Sequence, residues 1–205
     1  LELWDHTCVR RGMRIDFSDI DVRAATGNLS KKQPLGKAVG RETHHILDAT
    51  AGFGHDAFLL ACMGYRVTAC ERSPVVYTLL KDALDRAEKT PQLAQALGGR
   101  LTIQNTDSIH WLTEHKTTRE AIYLDPMFDP AHYGSALPKK PAQLLRALIG
   151  PDEDAGVLLN KARAIAHRVV VKRSNSDPPL NHQPTHSIYG KTVRYDVYMK
   201  EDIRD

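Results

Sequence analysis

The chain has 205 residues, of which 41% are hydrophobic and 26% charged, ordinary proportions for one soluble globular domain. No apolar run approaches the roughly 20 residues that span a bilayer, and no secretory signal is visible. A formal net charge of +3 is too small to imply a nucleic-acid partner by itself.

Residues 1 to 34 are expected to form an N-terminal extension, with Arg14 to Phe17 as a short strand and Ala25 to Asn28 as a turn. Leu35, Ala38 and Val39 mark a short helical turn between Lys31 and Gly40. From residue 35 to 205 the pattern is one domain of alternating strands and helices. His44 to Asp48 reads as the first strand and His55 to Met63 as a helix stopped by Gly64. Arg66 to Cys70 is the second strand. Pro74 opens a helix whose apolar residues Val75, Val76, Leu79, Leu80, Ala83, Leu84 and Ala87 follow helical spacing.

A second short helix is predicted from Pro91 to Leu97, before Gly98 and Gly99. Leu101 to Gln104 is the third strand, and Asp107 or Ser108 caps a helix reaching Leu112. Glu120 to Leu124 is the fourth strand. Residues 129 to 140 read as a loop expected to close over a substrate, followed by helices over Pro141 to Leu148 and Glu153 to Ala166. Arg168 to Val171 is a buried fifth strand. Ser187 to Tyr189 and Thr192 to Met199 form a terminal hairpin, the second arm alternating apolar with polar or smaller residues. This order predicts an α/β fold with a mainly parallel sheet, helices on both faces and a C-terminal antiparallel hairpin. Ligands should sit beyond the C-terminal strand ends, where Asp48, Glu71, Asp107 and Asp125 fall.

Three groups of residues carry chemistry. Asp48-Ala-Thr-Ala-Gly52-Phe-Gly54-His55-Asp56 is a strand, a glycine turn and a helix start, which suits a nucleotide-like ligand. Glu71 ends the next strand, where a carboxylate accepts hydrogen bonds from ribose hydroxyls. Asp56 is either a ligand contact or a first-turn acid. Arg72 is either a wall for adenine and ribose or an exposed loop residue. Asp107 and Ser108 suit the adenine edge or a helix cap, and the two roles are compatible. Asp125-Pro126-Met127-Phe128 follows the fourth strand. There Asp125 and the Pro126 carbonyl can orient an exocyclic amine, and Phe128 can stack on its base.

Together these motifs resemble an S-adenosylmethionine-dependent methyltransferase, and Asp125-Pro-Met-Phe128 resembles the amine-methylating signature. Residues 48–58, 71–76, 123–128, 148–152 and 169–173 are similar to the bacterial small-subunit ribosomal RNA guanine-N2 methyltransferases of the RsmJ type. The resemblance implies a Rossmann-like class I fold with a seven-stranded sheet. It also implies S-adenosylmethionine as cofactor, and methyl transfer to the N2 amine of a guanine near the 3′ end of 16S rRNA. The partner is then 16S rRNA or the small ribosomal subunit. The implied cofactor contacts are Asp48, Gly52, Gly54, His55, Asp56, Glu71, Arg72, Asp107, Ser108 and Asp125; the implied catalytic residues are Asp125, Pro126 and Phe128. His55 stands where the family usually has Arg, and Asp107 where Ser is expected. The family has a segment before the position of Leu1, so the chain is expected to be truncated or divergent there.

Other readings stay open at this level. The same chemistry can serve adenine N6 in DNA or RNA, or a protein glutamine. A nicotinamide-dependent oxidoreductase would use the Gly52/Gly54 turn but leaves Asp125-Pro-Met-Phe128 and the hairpin unexplained. A non-catalytic RNA-binding relative leaves Asp125 and Phe128 unexplained. Arg10, Arg11 and Arg14, Lys31 and Lys32, Lys139 and Lys140, and Lys172 and Arg173 are either parts of a phosphate-reading face or solvated charges. Cys8, Cys62 and Cys70 form no zinc or redox spacing, and the ten histidines no metal pattern. No metal and a reducing, cytoplasmic setting are expected.

Overall fold

The structure is a computed structural model and describes residues 1–4, 12–23, 27–115, 121–127, 150 and 152–200. The expected loop 129–140, the helix over Pro141 to Leu148, Phe128, Cys8, Arg10, Arg11, Lys139 and Lys140 lie outside these residues.

Seven strands form one sheet: β1 (His45–Asp48), β2 (Arg66–Glu71), β3 (Leu101–Asn105), β4 (Ala121–Leu124), β5 (Arg168–Ser174), β6 (His186–Tyr189) and β7 (Val193–Met199). Their spatial order is β3-β2-β1-β4-β5-β7-β6. The first five strands are parallel, and β7 runs antiparallel to both β5 and β6. The order reverses between β1 and β4, so the crevice opens where those two strands end. The helices are α1 (Pro34–Val39), α2 (His55–Cys62), α3 (Pro74–Glu88), α4 (Pro91–Leu97), α5 (Ser108–Glu114) and α6 (Ala155–Ile165).

The inner parallel strands are apolar at their centres because both faces are covered, as in β4, while the edge strand β3 alternates buried and exposed residues. Ile46, Val67, Ala69, Tyr123 and Val170 pack with Phe58, Leu60 and Leu80 of α2 and α3. Leu47, Cys70, Ile122, Leu124, Val169 and Val171 pack with Trp111, Leu112, Leu158, Leu159 and Ala162 of α5 and α6. Proline starts and glycine stops bound α4 where composition alone would place them.

One expectation changes. Arg14 to Phe17 is not a strand: Phe17–Asp19 is a 3-10 turn, and Asp16 caps it by accepting the Ser18 N–H at 3.0 Å. That local bond competes with an extended ladder. Among the described residues of this segment Met13 pairs with Leu3, while Met13, Ile15 and Phe17 enter the core beneath α2 and α3. Phe17 stacks on Phe58 with ring centroids 4.3 Å apart. In β7 the polar residues between the apolar ones are buried as well. Arg194 and Asp196 are both buried, paired at 2.8 Å on the face that also holds Tyr198.

Candidate functional site

The turn after β1 brings the described motif residues into one cleft of about 310 Å³. Asp48, Gly52, Gly54, His55, Asp56, Glu71, Arg72, Asp107, Ser108, Asp125 and Pro126 all line it; Phe128 lies outside the described residues. The ends of β1, β2, β3 and β4 therefore converge because parallel strands finish on one edge.

Each polar group has a definite partner. Asp48 Oδ1 accepts the Thr50 N–H at 3.0 Å. Glu71 accepts backbone N–H bonds from Gly52 at 2.9 Å and Ser73 at 2.7 Å, tying the end of β2 to the glycine turn. Asp107 caps α5 through the His110 N–H, and the Ser108 hydroxyl donates to the Ala49 carbonyl at 2.6 Å. Arg72 donates to Asp152 and, at 3.1 Å, to Asp154, so its guanidinium joins the β2 end to the segment before α6. Asp152 in turn exchanges bonds with Met127: it accepts the Met127 N–H at 2.7 Å and donates its own N–H to the Met127 carbonyl at 3.0 Å. The Asp125 N–H donates to the Thr50 hydroxyl at 2.6 Å. These bonds hold Asp125, Pro126 and Met127 in one geometry.

The glycines divide their work. Gly52 takes φ +51° and Gly54 φ +72°, in the left-handed region. A Cβ on Gly54 would collide with Leu80 and come 3.4 Å from Phe17. Its missing side chain makes room for the core on which α2 rests.

Lys172 occupies the centre of the site. Its Nζ donates to Asp56 at 2.7 Å and to Asp125 at 2.9 Å. Asp56 also accepts the Tyr123 hydroxyl at 2.6 Å. Burial works against the Asp56 carboxylate, but the Lys172 ammonium and the Tyr123 hydroxyl outweigh it and hold Asp56 below its usual range. Burial pushes Asp125 up despite the same ammonium. Asp48 is pushed up to about 8 by burial, with Asp56 and Asp125 adding repulsion. Burial also raises Glu71 and Asp152 and lowers His55. Lys172 is raised, because Asp125 and Asp56 overcome its own burial.

The sequence did not single out Thr50, Tyr123, Asp152 and Asp154, and placed Lys172 with Arg173 as a basic surface pair. That pair is corrected: Lys172 points into the acid cluster, and Arg173 is buried, donating to the Pro178 carbonyl at 3.0 Å. The available signal was a lysine continuing a valine run that is buried on both faces.

Seven carboxylates line the cleft, from Asp48, Asp56, Glu71, Asp107, Asp125, Asp152 and Asp154, and Lys172 and Arg72 are its lysine and arginine. A pyrophosphate would meet this excess of negative charge, whereas a ligand carrying ammonium and sulfonium groups would relieve it. The donor set therefore fits S-adenosylmethionine and opposes a dinucleotide.

Residues 1–200 match the family described as "Putative SAM-dependent methyltransferase". The chain is 43% identical over 175 residues to ribosomal RNA small subunit methyltransferase J of Desulfotalea psychrophila, covering 82% of this chain and 66% of that protein. It is 42% identical over 195 residues to the protein of the same name from Thioalkalivibrio sulfidiphilus, covering 88% and 76%. The chain thus spans about two thirds of the length of these relatives. Among solved structures, a SAM-dependent methyltransferase from Neisseria gonorrhoeae aligns with a TM-score of 0.68 and 29% identity, over 93% of this chain and 76% of that one. A 16S rRNA N2 guanine methyltransferase from T. thermophilus, solved with AdoMet and guanosine, shares the fold with a TM-score of 0.54 at 21% identity, over 90% of this chain and 45% of that one.

Proposed function

Because this chain belongs to the SAM-dependent methyltransferase family that includes the ribosomal RNA small subunit methyltransferase J proteins, we propose that it methylates the N2 amine of one guanine near the 3′ end of 16S rRNA. The observation that carries this reading is the acid cluster at the β1–β4 crevice, with Asp125-Pro126 presented at its edge. Residues 35–205 are the methyltransferase domain in this reading, and 1–34 its N-terminal extension.

When bound, S-adenosylmethionine supplies an electrophilic methyl group on a sulfonium. Asp48 would meet its ammonium, the α2 start with His55 and Asp56 would border the methionine part, and Glu71 would take the ribose hydroxyls. Asp107 and Ser108 border the adenine. Asp125 Oδ2 is held by Lys172, while Oδ1 has no partner among the described residues. That oxygen and the Pro126 carbonyl each accept an N–H bond from the guanine amine. The delocalised nitrogen lone pair is turned toward the methyl group, and positive charge growing on nitrogen is stabilised by the carboxylate. Forming the carbon–nitrogen bond would break the methyl–sulfur bond, its electron pair staying on sulfur, and the nitrogen would shed one proton toward Asp125.

The direct test uses labelled S-adenosylmethionine and small subunits lacking the modification, with Asp125→Ala as the blank. N2-methylguanosine at one position, mapped by nuclease digestion and mass spectrometry, is expected. Label on adenine or protein, or none at all, would sink the reading.

Cofactor binding should depend on pH through Asp48. Below about pH 8 the free protein keeps this carboxyl protonated, and a cationic ligand favours the carboxylate. Binding then releases a proton, so affinity rises with pH and levels off above about 8. The rise should be roughly tenfold per pH unit well below that value. Calorimetry in buffers of different ionisation enthalpy measures the released proton. Equal affinity at pH 6 and 8, or an unchanged profile in Asp48→Asn, would remove Asp48 from this role.

A further inference from the structure

Two segments that meet at the active-site edge of the sheet contain no carboxylate: residues 27–40, whose α1 begins beside the hairpin turn, and residues 178–195, which return from the opposite edge through β6 to that turn. They lie against each other, since α1 packs on β6 and β7, and Pro34 sits 4.0 Å from where a Cβ on Gly190 would be. Lys32, Lys37, His186 and Lys191 are exposed along them. Tyr189, at the end of β6, is 66% exposed, the highest value among the large apolar side chains described.

Register places this tyrosine relative to the chemistry. Leu124 pairs with Val171, so Asp125 stands level with Lys172; Lys172 pairs with Tyr195, and Tyr195 with Ile188. Tyr189 is therefore one residue further toward the same edge. It lies three strand spacings, about 14 Å, across the sheet from Asp125. The hairpin turn is anchored rather than free. Arg194 donates to the Ser174 carbonyl at 2.7 Å, Gly190 N–H to the Val193 carbonyl at 2.7 Å, and Asn175 to the Gly190 and Lys191 carbonyls at 3.4 Å each.

We propose that this rim docks the single-stranded RNA flanking the target guanine, with a base stacked on Tyr189 and phosphates neutralised by Lys191 and Lys32. The proposal rests on the methyltransferase reading above. An exposed aromatic ring next to an anchored turn, with Lys191 two residues on and no acid in either segment, complements a polyanion whose bases carry π-faces. A protein partner seeking apolar contact would instead meet lysine, histidine and asparagine around one ring.

The test compares Tyr189→Ala, Tyr189→Phe and the double variant Lys32→Glu/Lys191→Glu, using small subunits as substrate. Tyr189→Ala should raise KM for the subunit about tenfold, with kcat and S-adenosylmethionine affinity unchanged. Tyr189→Phe should behave as the parent. Charge reversal should raise KM and flatten the log–log salt dependence by about 0.7 for each phosphate no longer neutralised. Parental KM and salt slope in both Tyr189→Ala and the double variant would overturn the docking surface alone. If the unmutated protein labels no RNA, the functional reading falls and the surface falls with it.

Discussion

Lys172→Met should lower kcat for methyl transfer by about 10²–10³-fold and move the acidic limb of the pH–rate profile to higher pH. The ammonium lies 2.7 Å from Asp56 and 2.9 Å from Asp125, and both carboxyls sit in a cleft that burial makes hostile to charge. Methionine keeps much of the side-chain volume and removes the charge. With no ammonium between them, the two acids repel, and protonation is the cheaper response. Activity needs Asp125 as an acceptor, and a protonated Asp125 becomes a donor.

The sign follows directly. Lys172 favours the charged form of Asp125, so its loss raises the pH at which Asp125 ionises. The variant should therefore regain part of its rate as pH rises. Lys172→Arg should retain more activity because the charge remains, though a planar fork cannot copy a point donor. A purely structural lysine would lower the folded fraction without moving the limb. An unmoved limb with kcat near the parent value would defeat this account.

Arg194→Met should cost about 3–5 kcal/mol of stability and lower Tm by roughly 6–20 °C. Asp196 is fully buried and receives two bonds from Arg194, at 2.8 and 3.1 Å, plus the Ser187 hydroxyl at 2.6 Å. Removing the guanidinium strands a buried carboxylate and leaves the Ser174 and Asn175 carbonyls without that donor. The double variant Arg194→Met/Asp196→Leu should recover much of the loss, since an apolar pair of similar size removes the uncompensated charge. Thermal and urea unfolding of the four proteins in the cycle measures the coupling. Additive losses, with no recovery in the double variant, would show that the two side chains act independently.

The two cases differ in what local pattern can reveal. The strand, glycine turn and helix over Asp48–Asp56 were legible because each step depends on neighbouring residues: an apolar strand, glycines for positive φ, then a breaker-free helix. Proline starts and glycine stops bounded α4 for the same reason. Asp125-Pro126 stood out because it follows a strand, and strand ends in a parallel sheet share one edge. Arg194 and Asp196 were not legible as a buried pair, since period-two alternation does not reveal whether a second layer covers the polar face. Gly54 was legible as a turn residue, but not as the gap that Leu80 needs.

The sequence by itself determined the α/β architecture, because short spacings in the chain dictate its alternating elements, and its motifs carried the cofactor class and the amine-methylating signature through their resemblance to a family. Only the tertiary structure decided which charges belong together. Lys172 lies 116 residues from Asp56 and 47 from Asp125, and nothing local marks the three as one unit. Packing places them in one cleft, within hydrogen-bond reach of each other. There a single ammonium sets the protonation of both carboxyls, and with it the state of the group that must receive the amine.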